Sequence, residues 1–138
     1  MSYIPAKSKY KKYQKGKSFN RINKNLNFNC LTFGCIGLKA LNFGRLNSKQ
    51  IESIRQSINK IIKKTGIIFI NVFPNTAITK KPLEIRMGKG KGNVDHWIYK
   101  LKPGFIVCEI QTNNISLAVK ALKRAQIRFP ILTRIVFN

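Results

Sequence analysis

Carboxylates are almost missing from this sequence. Glu52, Glu84, Asp95 and Glu109 are the only acids in 138 residues, against 27 Lys and Arg, and the formal net charge is +23. Four scattered acids leave paired general acid/base chemistry, or a carboxylate-lined Mg²⁺ or Ca²⁺ site, very little to draw on. Long apolar runs are missing too. The run at Ile67, Ile68, Phe69 and Ile70 is four residues, far short of the roughly 20 that a membrane-spanning helix needs. No apolar segment follows the first lysines, so no secretory signal peptide is expected. The three cysteines, Cys30, Cys35 and Cys108, are an odd number, and reduced thiols are the expectation. With His96 they could nominally form a zinc set, but no second paired ligand cluster exists, so neither metal nor cofactor is expected.

What is present is positive charge on a chain able to fold. Hydrophobic residues make up 43% of the sequence, enough for one domain with a real core. An excess of this size goes beyond the needs of solubility and points to a polyanionic partner, nucleic acid first. Residues 1–51 contain no acid and eleven basic residues. Within them Lys7, Lys9, Lys11, Lys12, Lys15, Lys17 and Arg21 are interleaved with Tyr10, Tyr13 and Phe19. That stretch has neither helical nor strand period and reads as an extended arm, with lysines for phosphates and aromatics for bases. The Asn-rich piece at 20–29 reads as a loop. The expected division is therefore a basic arm and loop over 1–29 and a single α+β RNA-binding domain over 30–138. A polybasic arm also suits an anionic membrane surface, which is the alternative reading. A small nuclease is a third, weakened by the single histidine and few acids.

Hydrophobic periodicity sets out the elements. Leu31, Phe33, Ile36, Leu38 and Ala40 alternate past two glycines, suggesting one or two strands with a bulge. Ile51, Ile54, Ile58, Ile61 and Ile62 form one stripe, predicting a helix over 48–64. Asn47 and Gln50 have capping-box spacing, Glu52 falls in the expected first turn, and Gly66 is the expected left-handed stop. Arg55 and Lys60 lie off the stripe, facing a partner. Residues 67–73 read as a strand stopped by Pro74, 75–82 as a loop and 83–87 as a short strand. Residues 96–101 and 105–111 read as a hairpin through Lys102, Pro103 and Gly104. A second helix is expected over 115–128, capped by Asn114, with Leu117, Ala118, Ala121, Leu122 and Ala125 inward, and a last strand over 131–137. The class is α+β, with a mostly antiparallel sheet and two packed helices.

The sharpest motif is Arg86, Met87, Gly88, Lys89, Gly90, Lys91 and Gly92. Alternate glycines let backbone approach a phosphate and the lysines between them neutralise it. It is not a nucleotide P-loop, because Gly92 is followed by Asn93 and not by Lys and a hydroxyl residue. Gly34 and Gly37 give a GxxG without the helices of a KH domain. Asp95 and His96 are adjacent, so in a strand their side chains would point to opposite faces; His96 beside Trp97 is expected to pack or stack.

That loop, with Trp97 five residues beyond it, resembles the signature of the bacterial-type large-subunit ribosomal protein uL16 family. Residues 12–16, 33–40, 44–46, 50–52, 72–74, 81–83 and 102–104 follow in family order. The resemblance implies two helices packed on an antiparallel sheet and a non-enzymatic part in the large ribosomal subunit, with no small-molecule substrate. It implies binding to large-subunit rRNA near 5S rRNA and the tRNA cleft, beside neighbouring ribosomal proteins, in the peptidyl-transferase region. By position, residues 86–92 and the arm would approach tRNA and surrounding rRNA, and Lys39, Arg45, Arg55 and Lys81 would face rRNA. Arg86 matches the family arginine that is hydroxylated in some bacteria. The sequence departs from its relatives at Asn71, usually basic, and at Phe69, usually Trp or Tyr. Abundant Asn, Lys, Ile, Phe and Tyr with scarce Ala indicate an AT-rich gene. With the family-like arm starting by residue 5, this suggests an organelle-encoded mitochondrial product, with plastid or AT-rich bacterial origin as alternatives.

Overall fold

The structure, a computed structural model, describes residue 5, residues 9–14 and residues 30–138. The Asn-rich stretch at 20–29, and Lys7, Lys15, Lys17 and Arg21 of the arm, lie outside the described residues. Among the described residues the chain forms β1 (Ile36–Ala40), β2 (Gly44–Asn47), α1 (Ser48–Ile62), β3 (Gly66–Ile70), β4 (Thr76–Lys80), β5 (Asn93–Leu101), β6 (Ile106–Thr112), α2 (Ile115–Gln126) and β7 (Thr133–Phe137). The class is α+β, as the periodicity predicts.

Both helices form where apolar stripes require them. Ile51, Ile54, Ile58 and Ile62 of α1 are buried, as are Ala118, Ala121, Leu122 and Ala125 of α2, while Leu117 is half-buried. Each fully buried isoleucine contributes roughly 1.5–3 kcal/mol relative to exposure. Small alanines on α2 let the helices pack closely against each other. Gln50 Oε1 accepts from the Asn47 N–H at 2.9 Å, and Asn114 Oδ1 accepts from the Leu117 N–H at 3.2 Å, so both expected caps are used. Two details differ. Glu52 lies beyond the first turn of α1, and α1 ends through Lys63, at φ 51°, not through Gly66. Gly66 starts β3 instead, where an added Cβ would sit 2.7 Å from Gln111 O; the position requires close approach to β6.

There are two sheets where a single one was expected. One has order β3-β6-β1-β7 and the other β2-β5-β4, with every pair antiparallel. The expected hairpin of 96–101 with 105–111 therefore does not form. Each of its strands already has two other partners: β5 lies between β2 and β4, and β6 between β1 and β3. The turn at 102–105 is real, with Gly104 at φ 86°, but it carries the chain from one sheet to the other. It is pinned to the end of β1, where Gly104 N–H donates to Ala40 O at 2.8 Å and Ala40 N–H donates to Phe105 O at 2.9 Å.

Three further expectations fail locally. Residues 76–80 form a strand, not a loop, because their alternating β-branched side chains pair along β5. Residues 83–87 form turns, not a strand; no strand pairs with them, and Leu83 is 98% exposed. Residues 31–34 are not strand either. Their backbone instead wraps a carboxylate: Glu109 Oε2 accepts from the N–H groups of Thr32, Phe33 and Gly34 at 3.0, 2.7 and 2.9 Å. Asn71 Nδ2 donates to the other oxygen at 2.7 Å. Glu109 is fully buried. Burial pushes its pKa up, but the donors from Phe33, Gly34, Asn71 and Thr32 outweigh that and hold it below the ordinary glutamate value.

A folded-state pKa below the unfolded one means that Glu109 contributes stability at neutral pH. That contribution is lost as pH falls below about 4.3, the unfolded glutamate value, and through the lower folded value. Glu109→Ala removes the acceptor of three backbone N–H groups, of which that of Gly34 is buried, so urea unfolding at pH 7 should show a loss of about 1–3 kcal/mol. The loss should shrink as the pH is lowered through this window. Cys108, beside it, is held up to about 12 by burial, with the Glu109 charge adding to the effect. Iodoacetamide at pH 8 should therefore label Cys108 only after unfolding.

Candidate nucleic-acid interface

Alternation along β5 divides its side chains between two faces. Tyr99 and Leu101 pair with Leu46 and Gly44 of β2 on the core side, while Lys100 pairs with Arg45 and Ile98 with Asn47 on the outer side. Across β4, Ile98 pairs with Thr76, which extends the outer face. Two cations directly opposite on neighbouring strands repel each other. Beneath them Ile98 is only 2% exposed, although it lies on the outer face, because residues 13 and 14 of the arm lie over this part of the sheet.

The arm and the glycine loop meet here. Lys12 Nζ donates to Lys91 O at 3.1 Å, and Lys91 Nζ donates back to Tyr13 O. Within the loop Lys81 Nζ donates to Gly88 O. Gly88, Lys89 and Gly90 have φ of 97°, 53° and 82°. A Cβ added at Gly88 or Gly90 would touch nothing within 4 Å, so these glycines serve backbone conformation alone. Gly92 differs: its Cβ would fall 2.5 Å from Lys80 O, where the loop rejoins the sheet. The result is an irregular loop that exposes Arg86, Met87 and Lys89 to solvent.

Between arm, loop and sheet lies a cleft of about 280 Å³, lined by Tyr13, Gln14, Arg45, Lys91, Ile98 and Lys100 together with β4. Among the described residues that line it there is no carboxylate. Of the sequence-expected contacts, Lys12, Arg45, Lys81 and residues 86–92 are thus gathered at one end, with Lys9, Tyr10 and Lys11 exposed on the arm beside them. Lys39 and Arg55 lie apart. Lys39 sits in the other sheet, across from Arg134. Arg55 is engaged within the chain, donating to both carboxylate oxygens of Glu52 at 2.7 and 3.0 Å. These hydrogen bonds, with a further donor from Gln56, hold Glu52 down to about 2. Lys100 was not identified as a contact from sequence: it gains its meaning only from pairing with β2, which is too short to be read from periodicity.

The Asp95 and His96 side chains meet, with Nδ1 and Oδ2 2.7 Å apart, contrary to strict alternation. Pairing passes from Ile78–His96 to Thr79–Val94, leaving Asp95 as the extra residue of a bulge, and a bulge re-aims side chains. The pair is exposed, and no nucleophile is held against it among the hydrogen bonds of the described residues. Nor do any three His, Cys, Asp or Glu side chains cluster closely enough among those residues to hold a metal ion. No helix among them is long and apolar enough to cross a membrane.

Fold and site together define a small, strongly basic α+β protein with a cleft on its smaller sheet that no described acid lines. Comparison with known proteins narrows this class to a family. A family model for ribosomal protein L16p/L10e matches residues 5–136. The chain is 47% identical over 133 residues to the large ribosomal subunit protein uL16 of Wigglesworthia glossinidia brevipalpis, which covers 96% of this chain and 94% of that protein. It is 44% identical over 132 residues to the uL16 of Acinetobacter baylyi, again with 96% and 94% coverage. The chain belongs to the ribosomal protein L16p/L10e family; it is a structural ribosomal component and not an enzyme.

Lys91→Met removes one of the two hydrogen bonds joining arm and loop while touching no core residue. Amide hydrogen exchange over residues 9–14 should accelerate, with global stability changed by less than about 0.5 kcal/mol. Unchanged protection of the arm would show that the Lys91 bond does not hold it.

Proposed function

We propose that this ribosomal protein binds large-subunit rRNA through the arm and the outer face of the three-stranded sheet, and presents residues 86–92 toward tRNA. The observation that carries the reading is the meeting of arm and loop at Lys12, Tyr13 and Lys91, beside an acid-free pair of cations. Lysines and arginines neutralise phosphates there, and the exposed Tyr10 and Tyr13 rings offer stacking surfaces. Lys7, Lys15, Lys17 and Arg21 extend the same arm. Lys39 and Arg55 reach rRNA from other faces, and Arg55 does so while paired to Glu52. The family relationship supports a place in the large subunit, near 5S rRNA and among neighbouring ribosomal proteins. The codon-biased composition favours a mitochondrial ribosome, whereas the named relatives are bacterial. Detection of the chain in purified mitochondrial large subunits would decide for the first, and its presence in bacterial ribosomes alone would decide for the second.

Sedimentation tests the core of the proposal. The protein should travel with large subunits at moderate salt, and its absence from that fraction would remove the reading. In binding to rRNA fragments, Arg86→Ala with Lys89→Ala should reduce the magnitude of the slope of log K against log salt by about 1.4 if both contact single-stranded phosphates, at roughly 0.7 each. Unfolding midpoints should be unchanged, because both side chains are exposed. An unaltered slope would count against phosphate contact by the loop.

A further inference from the structure

We infer that the cleft between the arm and the three-stranded sheet takes a single unpaired nucleotide of the bound RNA. This rests on the RNA-binding reading above and goes beyond it in naming what the cleft holds.

Three features select this ligand. The first is charge. Arg45 and Lys100 stand opposite each other across the β2–β5 pair, Lys91 adds a third cation, and no acid lines the space among the described residues. Cations so gathered favour an anion such as a phosphate. The second is the floor. Ile78, half-buried, lies there on the outer face of the sheet with Thr76, above the buried Ile98, giving an apolar surface that a phosphate alone does not use and a flat base does. Tyr13, from the arm, is half-exposed and lines the same space. The third is size. About 280 Å³ is at the small end of ligand clefts, which span about 300–1,000 Å³. That is room for one nucleotide and not for a duplex. Sequence-specific RNA recognition commonly takes splayed-out bases in this way, stacked on side chains with edges read by polar groups; Gln14 and Thr76 are the polar groups at hand.

The joined arm and loop make one wall. Lys12 and Lys91 tie Tyr13 to the loop, so the cleft is closed on that side by the arm.

The test uses the full-length protein and two RNA hairpins differing only in one bulged 2-aminopurine. The wild type should bind the bulged hairpin about tenfold more tightly than the unbulged one, with a change in 2-aminopurine fluorescence on binding. Thr76→Trp fills the cleft without altering charge, and tryptophan suits a strand. It should abolish the preference and the fluorescence change, so that the variant binds the two hairpins with equal affinity. Should that variant fail to fold, Arg45→Gln with Lys100→Gln replaces it, and should reduce affinity for the bulged hairpin more than for the unbulged one. Equal binding of both hairpins by the wild type, or a preference surviving Thr76→Trp, would overturn the inference while leaving RNA binding intact. Failure to bind either hairpin would remove the RNA-binding reading itself. AMP alone binding as tightly as the bulged hairpin would make this a free-nucleotide site and overturn the assignment to RNA.

Discussion

The rest of the structure depends on one buried carboxylate. Glu109 lies in β6, in the interior of the four-stranded sheet, with no solvent exposure. A bare charge there would be prohibitive, and in a chain of this composition a cation would be the obvious partner. The fold uses neutral donors instead. Three consecutive backbone N–H groups and one side-chain amide converge on the two oxygens. That arrangement determines where residues 31–34 run, draws Gly34 against the β6 backbone, and places Leu31 over Gly37. It also sets the entry to β1, where Cys35 N–H donates to Ile110 O at 3.1 Å and Asn138 N–H donates to Cys35 O at 3.1 Å. The start of the folded body and the chain's last residue are thus tied to the same place. Asn71 serves as a neutral donor to that carboxylate.

The second organising constraint is the passage between sheets at 102–105. Because β5 and β6 do not pair, the three-stranded sheet has an outer face whose cations can meet the arm and the glycine loop. Its inner side chains Leu46 and Leu101 join the same core as the stripes of α1 and α2. One core therefore supports two sheets, and the site lies on the outside of the smaller one. None of the four acids lines the cleft: Glu109 is inside, Glu52 holds Arg55 on α1, Asp95 meets His96 at the bulge, and Glu84 is exposed in the turn before Arg86.

What was legible in the sequence follows from range. Both helices were readable because their stripes and caps are local: five isoleucines and an Asn–Gln spacing announce α1, and Asn114 with five small or apolar positions announces α2. Strands are settled by partners far along the chain. Residues 31–33 carry a strand's alternation, yet a side chain 75 residues or more away takes their N–H groups. Residues 83–87 alternate as well but meet no partner, whereas 76–80 were hidden between Pro74 and Pro82. The hairpin was read from proximity in sequence, and the competition of β2 and β4 for β5 defeated it. At the site, composition identified residues 86–92 as a charged and irregular segment, and Arg45 came only from the family resemblance. It could not reveal that Lys91 joins arm to loop or that Lys100 lies opposite Arg45, since both facts belong to cross-chain register.

That register also explains how so large a charge excess is compatible with folding. Exposed charges separated by more than about 8 Å are largely screened at physiological salt, so most of the lysines impose little on the fold. Arg45 and Lys100 are different. Side chains directly opposite across an antiparallel pair start from Cβ atoms only about 4.5–5.5 Å apart, inside the screening distance. A bound anion relieves repulsion at that range. Anything that binds the folded state alone also stabilises it. The strain is therefore local to the place where a polyanion is expected, and the neutral scaffold around Glu109 holds the body of the protein independently of it. The division of labour is physical: neutral hydrogen bonds and apolar packing maintain the fold, and positive charge is kept at the surface.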